Sequence, residues 1–415
     1  MAKIKAFKAI RPTRDKAYLT ASRSYLSYSE EALREKLNNN PYTFLHIINP
    51  EYSSGSELKY GLDKYEMVKD KFKSFQEEKV YKSEEKACIY LYQQIKEGHS
   101  YTGIVAATSI DDYLEGNIKI HEQTIVKREK MFKEYLDVTR FNAEPVLLTY
   151  PRNARLHEIY GKYMQDRPEY EFTTTNKVLH NLWLLDYRTD IDEIEAIFQE
   201  IDSLYIADGH HRSASSALLC NEMREKNHNY TGEESFNYFM SYLIDDEQLS
   251  IFDFNRIVSD LNGLSKEEFL TKVSDKYDLA SIDDSQRKPS QKDEICMYLN
   301  GSWYSLIAKE HTYDASHCVE HLDSEILSNN ILEPILGITD IRNDKRIEFI
   351  DGKQGLDYLK EKVDSGSHAV AFALKPITVE QLKAVADQNE IMPPKSTYIE
   401  PKLRSGLTIY SIGND

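Results

Sequence analysis

Along the chain, short continuous apolar runs alternate with stretches whose apolar residues recur every three or four positions, the first predicting strands and the second helices. Strands are expected over residues 4–10, at 43–48 ending in Asn49-Pro50, at 103–107, 145–150 and 204–208, and twice within 170–186. Helices are expected at 30–37, behind the N-cap Ser29, and at 63–78, with Val68, Phe72 and Phe75 on one face. A third runs to about Thr139 and carries Ile125, Phe132 and Leu136 inward, and a fourth covers 191–201. Residues 87–96 read as strand or helix. Further on, strands are expected at 236–243, 249–258, 295–300, 303–308 and 369–374. Asn300-Gly301 marks a hairpin turn, and Ser265 with Glu268 forms a capping box that opens a helix. Residues 281–294 have no apolar period and read as an exposed loop, a helical stretch follows Ser316, and another helix spans 378–389. This alternation of strands and helices, with antiparallel pairs among them, predicts a mixed α/β or α+β core.

One stretch concentrates chemistry. Leu204-Tyr205-Ile206-Ala207 stops abruptly in Asp208-Gly209-His210-His211-Arg212-Ser213, after which Ala214, Ala217, Leu218 and Met223 recur near helical spacing. The pattern is strand, tight turn, helix. Gly209 permits a sharp turn or a close approach to a ligand, the helix start offers backbone N–H groups with partial positive charge, and Arg212 adds a fork suited to phosphate or carboxylate. Asp208 would repel a phosphate unless it holds a cation such as magnesium or takes a proton from a nucleophile, a combination that suits phosphoryl transfer. The plainer alternative is a capped helix with an Asp–Arg ion pair and two surface histidines.

A length of 415 residues exceeds one usual domain, so two lobes, 1–248 and 249–415, or one continuous elaborated unit are expected. The formal net charge of −17 opposes a general nucleic-acid surface. Cys88, Cys220, Cys296 and Cys318 form no Cys-x-x-Cys pair, the N-terminus lacks the apolar core of a signal peptide, and no apolar run reaches membrane-spanning length. A cytoplasmic protein with no membrane partner is expected. Neither a Walker loop nor Gly-x-Gly-x-x-Gly is present, which speaks against P-loop and Rossmann nucleotide binding.

Three further stretches carry candidate residues. His121-Glu122 resembles the start of a zinc-protease signature, but position 125 is Ile, so Glu122 either faces the Asp208 turn or caps its own helix. His317 and His321, one turn apart around Cys318, have zinc-compatible spacing without a convincing third ligand. Near the C-terminus, Pro393-Pro394 stiffens a loop presenting Lys395, Ser396 and Thr397, which either clamps a phosphate or packs as an extended tail on the sheet.

The chain resembles the prokaryotic family known as domain of unknown function 1015 over nearly its full length. The resemblance rests on Ala207-Asp208-Gly209-His210-His211-Arg212, on His121-Glu122 with Thr124, on Asp260-Leu261-Asn262-Gly263-Leu264, and on Met392-Pro393-Pro394-Lys395-Ser396-Thr397 with Pro401-Lys402. Where the family usually carries Pro-Tyr-Asp-Val, this sequence has Ser24-Tyr25-Leu26-Ser27. The Asp-Gly-His-His-Arg turn is also similar to the nucleotide-binding turn of the ParB and sulfiredoxin superfamily, which includes free-serine kinases and CTP-dependent partitioning proteins. Gly209 and His210 stand where a sulfiredoxin would need cysteine, and the charge and lack of a helix-turn-helix oppose a partitioning role. The resemblance implies a ParB/sulfiredoxin-like core elaborated by a second α/β lobe, binding a nucleotide (ADP or ATP) with Mg2+ and a small hydroxylated substrate such as free serine. Asp208, His210 and Glu122 are then the catalytic candidates, with Asp208 also the route to magnesium. Gly209, His211, Arg212, Ser213, Lys395 and Ser396 are the phosphate-binding candidates. A nucleotide sensor without turnover and a binding scaffold without nucleotide are the alternatives.

Overall fold

The computed structural model describes residues 2–24, 27–54 and 61–413. Tyr25 and Leu26, within the divergent N-terminal segment, lie outside the described residues. The chain divides into two compact units, one made of Met1–Lys119, Thr124–Leu249 and Pro401–Asp415, the other of Ile120–Gln123 and Ser250–Glu400. Both are mixed α+β, and no helix among the described residues is long and apolar enough to cross a membrane.

The first unit is built on a nine-stranded mixed sheet. From one edge its strands are Ile118–Lys119, Leu204–Asp208, Val146–Tyr150, Tyr238–Asp245, His99–Ser109, Ile89–Lys96, Leu179–Leu185 and Tyr170–Thr173, and Ile4–Lys5 adds to His99–Ser109 off that path. Two pairs are parallel, Leu204–Asp208 with Ile118–Lys119 and Val146–Tyr150 with Tyr238–Asp245; the remaining pairs are antiparallel. The central strands Val146–Tyr150 and Tyr238–Asp245 are buried at every position, which explains their largely apolar sequence. Gly103 is demanded by this packing, because a Cβ there would sit 2.3 Å from the carbonyl oxygen of Leu243 on the paired strand.

Several expectations change form. Residues 43–48 are not a strand: Leu45–Ile48 is a short helix whose Ile47 joins Phe44, Phe72, Phe75 and Phe141 in a satellite core. A short, mostly apolar segment fits either conformation, and here the core chose. The 4–10 strand breaks into Ile4–Lys5 and Ile10–Pro12 with a lone bridge at Phe7. Ile125, expected inward, is exposed, because it is the extended residue in front of the Val126–Thr139 helix. The helix at Leu62–Glu77 buries Val68, Phe72 and Phe75 as the periodicity predicts.

The second unit carries a six-stranded antiparallel sheet ordered Tyr277–Ile282, Ser302–Ala308, Glu294–Leu299, Val370–Ala373, Phe254–Val258, Ile347–Asp351. Asn300 and Gly301 both have positive φ, as the hairpin turn requires, and the Ser265–Glu268 capping box opens the Lys266–Lys276 helix. The stretch after Ser316 is a series of turns, and helix begins only at Asp323.

One buried polar residue of the first unit sets a pH dependence. His180, on the Leu179–Leu185 strand, is fully buried and stacks on Phe172, and its Nδ1 shares a hydrogen bond with the Tyr92 hydroxyl at 2.7 Å. Burial, with a contribution from the charge of Arg404, lowers its pKa from 6.5 to about 3. The folded protein holds the ring neutral while the unfolded chain takes up a proton below about pH 6.5. Stability from this residue is therefore complete above that pH and falls as the pH drops toward 3, by up to about 1.4 kcal/mol per pH unit. Urea unfolding between pH 7 and 5 is expected to show a shallower slope for His180→Gln than for the wild type, by about one proton; equal slopes would contradict the assignment. Gly103→Ala is expected to lower stability by about 1–3 kcal/mol through overpacking, read from the same unfolding curves at pH 7.

Candidate functional site

The Leu204–Asp208 strand buries Leu204, Tyr205, Ile206 and Ala207, which fixes its end in the sheet. Its register against Val146–Tyr150 slips between Ile206 and Asp208, so Ala207 is an extra residue and Asp208 is re-aimed. Gly209 follows with φ +110°, a conformation open to glycine, and the His210–Lys226 helix starts at the next residue. The Gly209 carbonyl already accepts from the N–H groups of Arg212 and Ser213, while glycine supplies no side-chain cap to the helix start. The helix start therefore has no side-chain cap, and its dipole adds positive potential at the turn.

Two cations converge on Asp208. Lys402 Nζ lies 3.0 Å from one carboxylate oxygen, and Arg212 Nη2 lies 3.7 Å from the other. Burial pushes the Asp208 pKa up, but Lys402 and Arg212 outweigh it and hold the carboxyl below the usual range. Arg212 is fixed from its other side: its Nη1 donates to the Pro145 carbonyl and lies 3.2 Å from Glu144. The guanidinium also crosses over Gly209, where a Cβ would come within 3.0 Å of its Nε. Lys402 and Glu144 were not singled out individually in the sequence. They lie far along the chain from Asp208, and only the Pro401-Lys402 pair within the family resemblance pointed at one of them.

The remaining candidates separate by environment. His211 accepts the backbone N–H of Ile125 on Nε2 at 3.1 Å, which ties the start of the Val126–Thr139 helix to the turn. Burial lowers its pKa, Arg128 adds to that and Glu129 opposes it, so the ring is neutral and keeps its proton on Nδ1. His210 is buried, and Ser213 turns its hydroxyl into the helix, donating to the His210 carbonyl at 3.0 Å. Glu122, Lys395 and Ser396 belong to the second unit. There the buried Ser396 hydroxyl donates to the Pro393 carbonyl at 2.8 Å and lies 3.3 Å from Ser324 Oγ. Lys395, at φ +57°, places its ammonium 5.6 Å from the centre of the Phe254 ring.

Metal chemistry finds little support. Among the described residues no group of three or more His, Cys, Asp or Glu side chains could hold an ion. A magnesium ion at Asp208 would have to take the carboxylate from Lys402 and Arg212, so the residues present do not fit a preassembled magnesium site. His317 Nδ1 accepts from Val319 and Glu320, and His321 lies between Lys292 and Asp293, so neither ring is arranged for zinc.

Gly209→Ala is expected to destabilise by about 1–3 kcal/mol through backbone strain and to displace Arg212. Gly98→Ala, at φ +81° with no atom within 4 Å of its Cβ, carries the strain alone. Urea unfolding of both variants checks this: Gly209→Ala should cost more, and equal costs would show that Arg212 yields freely.

No curated protein matches the sequence. Among solved structures the chain is similar to a free serine kinase in complex with AMP, at 12% identity and TM-score 0.38, over 74% of this chain and 91% of that one. It is similar to SbnI with a C-terminal truncation from Staphylococcus aureus, at 13% identity and TM-score 0.39, over 74% and 87%. A conserved hypothetical protein from Pyrococcus furiosus aligns at 13% identity and TM-score 0.36, over 73% and 94%. These likenesses are too distant to carry a functional argument. A family model described as a protein of unknown function, DUF1015, matches residues 4–325, most of the chain, and the protein belongs to that family.

Proposed function

We propose that the Asp208 turn binds the phosphate end of a nucleotide, ADP or ATP, and that the protein transfers a phosphoryl group to the hydroxyl of a small metabolite, free serine being one candidate. The observation that carries this is the convergence of Lys402 and Arg212 on Asp208 in front of a helix start that has no side-chain cap. Lys402 and Arg212 are balanced by Asp208 and Glu144, and the helix dipole adds about half a positive charge, so an anion at the turn would meet two cations already in place and a net positive helix start. Arg212 is anchored by Glu144 and Pro145, so its fork is held in place before a ligand arrives.

The depressed pKa makes Asp208 a weak base, which suits phosphoryl transfer better than it first suggests. The transition state is loose, and the acceptor hydroxyl needs orientation more than early deprotonation. The acceptor oxygen forms its bond to phosphorus, and the bond to the leaving phosphate breaks with its electron pair going to the nucleotide. The hydroxyl proton passes to Asp208 and on to solvent. Arg212, Lys402 and the Nδ1–H of His211 supply positive charge and donors for the phosphate oxygens. No step is assigned to magnesium.

Thermal unfolding with ADP, ATP and CTP, each with and without magnesium, tests the binding half. A nucleotide at a hundred times its dissociation constant should add about 2.7 kcal/mol to the wild type. Arg212→Ala should bind at least ten-fold more weakly, the loss of one charge-assisted contact of about 1.5–3 kcal/mol. Unchanged affinity in that variant, or no shift with any nucleotide, would remove the assignment. Asp208→Asn should keep the fold and abolish turnover, followed by nucleotide consumption in the presence of hydroxylated metabolites. Binding that never leads to transfer would leave the turn as a nucleotide sensor.

A further inference from the structure

Buried arginines in this protein are treated in two ways. Arg11, 3% exposed, is neutralised by Glu84 and by Glu169, the latter at 2.8 Å. Arg404, 8% exposed in the same unit, has no carboxylate within ion-pair distance among the described residues. Its Nη2 donates to the neutral oxygens of Asn176 at 2.9 Å and Thr174 at 3.3 Å, and its Nε–H has no partner among the described residues. A buried guanidinium without a counter-charge is costly, and water supplies hydrogen bonds but no neutralising charge.

Three more buried groups around Arg404 are unsatisfied. His180 and Gln94 stand directly opposite each other on paired strands, and His180 Nε2 and Gln94 Nε2 both lack partners. In the tautomer with its proton on Nε2, His180 accepts from the Tyr92 hydroxyl on Nδ1 and offers a buried N–H on the other side of the ring. The Ser22 hydroxyl, also unpartnered, is on the residue whose backbone pairs with Ser405, next to Arg404. Arg404 reaches this strand pair through Thr174, two residues beyond the Phe172 that pairs with His180 and stacks on it. Arg404, His180 and Gln94 thus bring N–H donors, and Ser22 an O–H, all buried and none with an acceptor among the described residues. Such a set is complementary to an acceptor-only, singly negative group.

We propose that Arg404, Gln94, His180 and Ser22 bind the carboxylate of a small metabolite, which makes the phosphoryl acceptor a hydroxy acid or hydroxy amino acid. The same short segment connects this site to the turn: Lys402, two residues before Arg404, holds Asp208, and Ser405 Oγ lies 3.5 Å from the Glu144 that flanks Arg212. The role as acceptor rests on the phosphoryl-transfer assignment above; carboxylate binding itself does not.

Calorimetric titration of the full-length protein with L-serine, D-glycerate, serinol and inorganic phosphate tests the site. L-serine or D-glycerate should bind, and serinol, which keeps the hydroxyl groups and lacks the carboxylate, should bind at least thirty-fold more weakly. Arg404→Gln should weaken carboxylate binding by a similar factor while ADP affinity stays within two-fold, and Arg404→Lys should fall between. Serinol binding as tightly as L-serine, phosphate binding in place of both carboxylates, no binding of either carboxylate, or an unchanged Arg404→Gln would overturn the proposal. The comparison of serinol with L-serine needs only the wild type, so it decides the matter even if the variants fail to fold. Carboxylate binding through Arg404 without any nucleotide effect would leave this site standing and remove the phosphotransferase assignment. Phosphoryl transfer that is indifferent to the acceptor's carboxylate would do the reverse.

Discussion

The candidate site depends on one electrostatic arrangement: a partly exposed carboxylate at the end of a buried strand, held between two cations, Arg212 on the next helix and Lys402 from far along the chain. Asp208 is partly exposed but fixed in direction, because Leu204 to Ala207 are locked in the sheet and the bulge at Ala207 aims it. Lys402 and Arg212 answer that charge, and in doing so they are held where an incoming anion would meet them. Glu144 and Pro145 complete the arrangement by bracing Arg212 from behind. A site of this kind is preorganised at low cost, since the ion pairs that hold the cations in the free protein are exchanged for ion pairs to a ligand.

Much of this was legible from residue order. The strand–turn–helix at Asp208, the helix carrying Val68, Phe72 and Phe75, the Asn300-Gly301 hairpin and the Ser265 capping box are local features, written in periodicity and turn chemistry over a few residues. The misread elements share a cause. Residues 43–48 and the exposed Ile125 are apolar positions whose fate was set by distant packing, in one case by Phe72, Phe75 and Phe141 and in the other by a hydrogen bond to His211. Lys402 and Glu144 escaped individual notice for the same reason. Ion pairs over such separations leave no spacing to read.

Buried polar groups divide the first unit into structural and chemical halves. Arg11 is closed off by two glutamates, and Tyr90 is satisfied by the backbone of Phe7 and Ala9. Around Arg404 the donors stay open. A fold that satisfies one buried arginine completely and leaves another with unused donors has distributed its costs unevenly, and such unevenness is characteristic of sites that bind. The C-terminal segment is the common element, since it supplies both Lys402 and Arg404.

The most direct test of the central claim is the phosphorus NMR spectrum of ADP titrated with the protein. The account predicts that the terminal phosphate resonance shifts or broadens most, because the phosphate end lies against Arg212, Lys402 and the helix start. It also predicts that the change disappears in Arg212→Ala. A spectrum in which neither phosphate resonance responds, or in which the response survives in that variant, would contradict the placement of an anion at the Asp208 turn.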